Sequence, residues 1–261
     1  MSKSRGNVVN PDDVLAEFGA DAFRLYEMFM GPLQDVKPWN TRGVEGVYRF
    51  LGRVWRLFVD ERSETAYELA EVTADAEQKK SLLGLIELDA RISDIAPEPA
   101  QLKALHACIK KVTEDLDALR FNTAISTMMI FVNEAMTWPT KPASVLRPFL
   151  QLLAPFAPHL AEELWQKMSM VGTAGVSTTS DSLSYSPWPK FDPALLVEDT
   201  LEIPVQVNGK LRDVIRVPAG ATHDELEAAA RAAEKAQPFL AGKTIKKVIV
   251  VPKKMVNLIA A

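Results

Sequence analysis

Cysteine, histidine and long apolar runs are all scarce in this chain. Cys108 is the lone cysteine of 261 residues, so no internal disulfide can form. Three histidines (His106, His159, His223) beside one cysteine supply too few ligands of the usual kind for a structural zinc site. No stretch approaches the roughly 18 consecutive apolar residues of a membrane-spanning helix, and the start of the chain has no apolar core of a leader peptide. A reducing cytoplasm with no membrane association is the expected setting. There is also no Gly-rich strand-to-helix phosphate cradle, which removes the commonest nucleotide-binding signature. Internal repeats and low-complexity tracts are missing too.

What is present is an ordinary globular composition, 48% hydrophobic and 25% charged, with a net charge of −4. That average hides an uneven distribution. Residues 1–62 hold nine basic and nine acidic side chains, residues 63–199 eleven against nineteen, and residues 200–261 ten against six. Residues 239–261 contain five lysines and no acid. An acidic middle followed by a basic end predicts separate modules.

Apolar periodicity fills in those modules. Pro11 or Asp12 starts a short helix that Gly19 ends; a second follows from about Asp21 to Gly31-Pro32. A longer helix is predicted from Thr41 to about Asp60. In "QLKALHACIKKVTEDLDAL", Leu102, Leu105, Ile109, Val112, Leu116 and Leu119 recur at spacings of three and four, an amphipathic helix whose apolar stripe is read as core. Further helices are expected over 121–136, 141–153 and 158–170, with Pro158 in a first turn. Residues 64–98 read as a helix with loose ends.

At residue 172 the character changes. "GTAGVSTTSDSLSYSP" has no apolar period and reads as a linker. Beyond it, "LEIPVQV" alternates apolar and polar residues, Asn208-Gly209 makes a turn, and "KLRDVIRV" follows. A strict two-residue turn would set Val205 opposite Arg212 and a bulged turn opposite Leu211; both registers stay open. A helix near 223–236 and the strands "TIKKVIVV" and "MVNLIA" complete a small α+β unit.

The opening "MSKSRGNVVNP" is the most informative string. Met1, Ser2, Lys3 and Ser4 match the last four positions of Lys-Met-Ser-Lys-Ser, and Gly6, Asn7, Pro11, Gly19-Ala20-Asp21 and Arg24 continue the pattern. In this the chain resembles class I aminoacyl-tRNA synthetases. "LYEMFMGPL" (25–33), "KPWNTRGVEGVYRFLGRVWRL" (37–57), "IKKVTEDLDALRFNTAIS" (109–126), "FAPHLAEELW" (156–165) and "VQVNGKLRD" (205–213) are similar to the leucyl enzymes of bacterial type. The resemblance covers nearly everything but 64–98. It implies a C-terminal portion of a leucine–tRNA ligase: the signature loop and connector at 1–40, a helical anticodon-binding-type domain at 41–171, a linker at 172–197 and a tRNA-binding α+β domain at 198–261. The fold class is mainly α. The same region of a valyl or isoleucyl enzyme, or a stand-alone RNA-binding or protein-interaction module, are the alternatives.

Each candidate residue has a bland reading beside the functional one. Lys3 between Ser2 and Ser4 offers a compact charge and two hydroxyls to a triphosphate, and the resemblance implies ATP, with Mg2+, as its ligand in the complete enzyme; taken alone, the five residues read as a polar terminus. No His-Ile-Gly-His-like string is present. The chain by itself is therefore expected to bind no ATP and to be inactive without an N-terminal catalytic half, in the same chain or a separate subunit. On a helical wheel of about 100° per residue, Arg42, Arg49, Arg53 and Arg56 share one sector and Val44, Val47, Leu51, Val54 and Phe58 the opposite one. Arginines without interleaved acids suit phosphate contacts with tRNA(Leu), although a solvated face is the plainer reading. Tyr48 and Trp55 lie between the sectors and read as core-edge aromatics. His159, with no carboxylate identifiable as its partner, reads as a packed or capping residue. Lys210, Arg212, Lys243, Lys246, Lys247, Lys253 and Lys254 form the second tRNA candidate, against the reading that they only guard sheet edges.

Overall fold

A computed structural model of the chain describes residues 8–75, 78, 82–169, 171, 182–196, 200–251 and 254–261. It divides into two compact units, Met1–Leu196 and Val197–Ala261. Ser2, Lys3, Ser4 and Lys253, and the stretch 172–181 of the expected linker, lie outside the described residues.

The first unit is helical: α1 (Pro11–Phe18), α2 (Ala20–Phe29), α3 (Thr41–Phe58), α4 (Glu61–Glu71), α5 (Pro99–Asp117), α6 (Phe121–Ala135), α7 (Ala143–Leu153) and α8 (Pro158–Met168). One core runs through it, from Val14, Leu25 and Tyr26 to Leu164 and Met168. The predicted connector helices α1 and α2 thus bury their apolar faces in the same core as α3 rather than preceding a separate bundle. Residues 182–196 belong to this unit as well. Glu162 Oε2 accepts from Ser182 Oγ and from Leu183 N, both at 2.9 Å, Trp188 Nε1 donates to Thr113 Oγ1 at 2.9 Å, and Asp192 N donates to His106 Nδ1 at 2.8 Å. Most of the described end of the expected linker is therefore strapped to the bundle. Its Ser/Thr-rich composition concealed Leu183, Trp188 and Phe191, which supply the packing surface.

α3 begins where Asn40 caps it: its side chain accepts from Arg42 N at 3.0 Å, and its own N–H donates to Tyr26 Oη at 2.9 Å. Gly43 is required there, because a Cβ would stand 2.5 Å from the Tyr26 ring. The far end of α3 is fastened to the chain at 86–93. Asp89 N donates to Phe58 O at 2.7 Å and Asp60 N to Glu87 O at 3.0 Å; Ile92 and Ser93 pair in parallel with Lys141 and Pro142. Lys141 is fully buried, and its Nζ donates to Leu57 O at 2.6 Å and to Asp89 Oδ2 at 2.8 Å. The described residues of 64–98, a stretch whose sequence reads as a single loose helix, include the rest of α4, a short 3-10 turn at Leu83–Leu85 and this fastening segment.

The α5 stripe is core except at its two ends, Leu102 being half-buried outside the core and Leu119 exposed. Leu105, Ile109 and Val112 are buried, joined by Cys108, whereas Leu119 is 59% exposed. The helix stops at Asp117; Leu119 takes a φ of 56° and Arg120 N donates back to Asp115 O at 2.7 Å, a six-to-one closure that turns Leu119 outward.

The second unit is a four-stranded sheet of β1 (Thr200–Val207), β2 (Lys210–Pro218), β3 (Ile245–Val251) and β4 (Met255–Ala260) in the order β2-β1-β4-β3. β1 and β4 run parallel in the middle, each with an antiparallel edge strand outside it. The helices α9 (His223–Ala232) and α10 (Gln237–Leu240) contribute Leu226, Ala230 and Leu240 to a core with Ile203, Val205, Val207, Val256 and Leu258. Neither predicted hairpin register is correct. The turn is a strict Asn208-Gly209 pair at φ of 52° and 77°, with Val207 opposite Lys210 and Gln206 opposite Leu211; the bulge comes one residue later, at Arg212, and sets Val205 opposite Asp213. Turn and bulge are separate features, which the sequence reading had merged.

Candidate nucleic-acid interface

α3 sorts its side chains more unevenly than two opposite sectors. Val44, Val47, Leu51, Val54 and Phe58 are all buried, and so are Phe50 and Leu57, which lie about 60–80° round the helix from Arg42. The apolar face is therefore wider than predicted and reaches Arg53. Arg42, Arg49 and Arg56 are exposed; Arg53 is half-buried, and its Nε is buried with no hydrogen-bond partner among the described residues. Glu45 is an exposed acid at the edge of the same sector, so the stripe is not entirely free of negative charge.

The ion pairing separates these arginines from others. Arg91 pairs with Asp89, Arg120 with Asp115, Arg216 with Glu202 and Arg231 with Glu227, at 2.6–2.9 Å. Among the described residues none of the four α3 arginines meets a carboxylate; Arg56 Nε donates to Gly52 O at 3.2 Å and that is all. Unpaired guanidiniums along a buried-backed helix form a cationic ridge with its donors free for phosphate oxygens.

In the β unit the basic residues do not form one patch. Lys210 starts β2 and Lys243 precedes β3, both at the end of the sheet where Asn208 meets Ala260. Lys246 occupies the irregularity between Ile245 and Lys247 on the edge strand β3, and Lys247 follows it. Lys254 lies in the β3–β4 turn at the opposite end. Arg212 is half-buried, with its Cζ 3.7 Å from the centroid of the Phe239 ring, so it is stacked rather than free. Four of the six described positions, Lys210, Arg212, Lys246 and Lys247, fall on the two edge strands, which is also where lysines discourage edge-to-edge pairing.

Other candidates resolve into structural roles. His159 does have a carboxylate partner: Asp21 Oδ1 is 2.8 Å from its Nδ1, while Asp21 Oδ2 accepts from Leu160 N at 2.7 Å. Asp21 on α2 thereby caps α8, a link across 138 residues that no local spacing could show. Burial pushes the Cys108 thiol up to about 12, which leaves it without a reactive thiolate. Among the described residues no group of three or more His, Cys, Asp or Glu is placed to hold a metal, and no helix is long and apolar enough to cross a membrane.

Residues 100–228 match the family model for the anticodon-binding domain of tRNA ligases. Leucine–tRNA ligases from two strains of Leptospira biflexa serovar Patoc are each 48% identical to the chain over all 261 residues, which make up 26% of those proteins. Over its whole length the chain is similar to the leucine–tRNA ligases. It spans about a quarter of the length of those curated relatives. A crystal structure of the ternary complex of Agrobacterium radiobacter K84 agnB2 LeuRS, tRNA and LeuAMS matches with a TM-score of 0.68 at 28% identity, covering all of this chain and 31% of that one. The anticodon-binding match includes α5 to α8 and runs on into α9, leaving the arginine-bearing α3 outside its bounds.

What the sequence reading missed is a hollow beside the stripe. Tyr48, Gly52, Trp55 and Arg56 of α3, with Leu51, Glu64 of α4 and Leu160 of α8, line a groove of about 500 Å3. Tyr48 is 52% exposed and meets Phe18 edge-on, at 5.8 Å between ring centroids. The signal in the sequence was a glycine between two aromatics at helical spacing.

Proposed function

We propose that this chain is the tRNA-handling C-terminal portion of a leucyl-tRNA synthetase, acting with a catalytic half that activates leucine with ATP and charges tRNA(Leu). The supporting observation is the agreement between a 48% identity to leucine–tRNA ligases over all 261 residues of this chain and a run of unpaired arginines on one face of α3. Arg42, Arg49 and Arg56 hold the phosphate backbone of tRNA, with Arg53 at the buried edge of the ridge. Lys210, Lys243, Lys246 and Lys247 add contacts at one end of the β unit and Lys254 at the other, with Lys253 a further candidate for the same phosphates.

Lys3, with Ser2 and Ser4, reaches the ATP phosphates in the complete enzyme, where a compact ammonium beside two hydroxyls stabilises charge that develops as leucine attacks the α-phosphate. Mg2+ accompanies the nucleotide there, and the cytoplasm is the compartment in which this chemistry runs. Leucine-dependent ATP–pyrophosphate exchange tests the division of labour. The chain alone should give none, and adding a nucleotide-binding half should restore it. Exchange by the chain alone would contradict the proposal. No gain from a catalytic half that is itself competent to fold would point instead to a stand-alone RNA-binding module.

A further inference from the structure

The groove beside the arginine ridge is built for a flat, partly polar ring. Tyr48 and Trp55 are seven residues apart, two helical turns or about 10 Å along the axis, so their rings stand on one flank of α3 facing the same space. Gly52 lies between them. A Cβ there would meet nothing within 4 Å, so the floor is open because the side chain is missing rather than because the backbone is crowded. Leu51 and Leu160 supply an apolar base and Glu64 the far rim. The ridge runs alongside: Arg56 lines the groove itself, with its Nε donating to Gly52 O at 3.2 Å, and Arg49 is the residue next to Tyr48, about 100° round the helix.

We propose that this groove seats one unstacked base of the bound tRNA, stacked on Tyr48 and Trp55, with its phosphate on Arg56. The inference rests on the tRNA-binding reading and deepens it. Three features favour a nucleotide over an apolar polypeptide side chain. Two aromatic rings, of a kind every base can stack on, line the groove; a guanidinium with free Nη groups stands beside them; and a cationic ridge leads to it. Glu64 gives the pocket a preference. Its side chain has no partner among the described residues, and a carboxylate only accepts hydrogen bonds. It is therefore complementary to a base edge that donates, the amino group of adenine, cytosine or guanine or the N3–H of uracil, and not to an edge that only accepts.

The test is binding of fluorescently labelled tRNA(Leu) transcript to the 261-residue chain across a salt series, with the variants Gly52→Leu and Tyr48→Ala. Gly52→Leu fills the floor and improves helix propensity, so melting controls should show an intact bundle. Each variant should weaken binding about tenfold at one salt concentration. The log–log salt slope should stay that of the parent, because stacking releases no counterions. Arg56→Gln, by contrast, should lower both affinity and slope. If both groove variants bind within twofold of the parent, or if either one flattens the slope, the groove takes no base, and the ridge is then judged by Arg56→Gln alone. If the parent chain itself fails to bind tRNA, the groove and the tRNA-binding reading fall together.

Discussion

The helical unit and the α+β unit carry their positive charge in different ways. On α3, residues seven, four and three apart in sequence fall on one face, so Arg42, Arg49, Arg53 and Arg56 form a ridge backed by buried Val44, Val47 and Val54. In the β unit the six described candidate positions scatter over two edge strands, two ends of the sheet and two irregularities in pairing, at Arg212 and Lys246. A helix converts spacing into a surface by one fixed rotation. A sheet does so only through register, and a single bulge moves a side chain away from its neighbours. The ridge is thus a surface that sequence specifies directly, while the lysines become a surface only through tertiary pairing.

Three experiments press on this comparison, beginning with the largest effect. The ridge depends on the fastening of α3 at its C-terminal end, where buried Lys141 bonds Leu57 O and Asp89. Lys141→Met leaves a carbonyl and a carboxylate short of a partner and should destabilise the bundle by about 3 kcal/mol. Denaturant melts read through the bundle's tryptophans measure this, and a loss below about 1 kcal/mol would show that the clasp is incidental.

Acid should act on the helical unit next. Burial raises the pKa of Asp115, but hydrogen bonds from Lys111, Thr123 and Arg120 together outweigh it and hold the carboxylate below its ordinary value; Asp89 is likewise held low, against its burial, by Arg91 and Lys141. Both native values are depressed, so the unfolded chain binds these protons more readily and the stabilisation is fully present above the ordinary carboxylate pKa of about 4. It is lost as pH falls below that through the native values. Melting temperature of the bundle should fall between about pH 4 and pH 2, and Asp115→Asn should reduce the part of that fall due to this site. A flat melting temperature over that range would remove these pairs from the account.

The smallest effect concerns the lysines. Lys210, Lys243 and Lys246 changed together to Gln should lower the salt slope for tRNA by roughly one contact or more, at 0.7–0.9 per contact, and Lys254→Gln by clearly less. Equal effects from the two ends would mean that the β unit acts as a diffuse cation, and its split into two ends would have no functional content.

Much of the helical unit was legible because its period is strong: α1, α2, α3, α5 and α8 begin and end close to where caps, prolines and glycines place them. The failures there are tertiary. Leu119 left the core because a helix closure turned it out, and Asp21's hold on His159 spans 138 residues. In the β unit the strands were legible and the register was not, since the bulge at Arg212 leaves no mark in the pattern. Of the candidate site, the ridge could be read from spacing alone. The groove could not, because it needs Glu64 and Leu160 from two other helices.

The central claim is that the α3 ridge binds tRNA through its phosphates. Its most direct test is the salt dependence of tRNA(Leu) binding by the parent chain and by a variant with Arg42, Arg49 and Arg56 changed together to Gln, three exposed residues whose loss leaves the core intact. The account predicts a slope lower by about 2 to 3, at 0.7–0.9 for each lost contact, with helix content unchanged. A slope equal to that of the parent would make the ridge a solvated face and contradict the account.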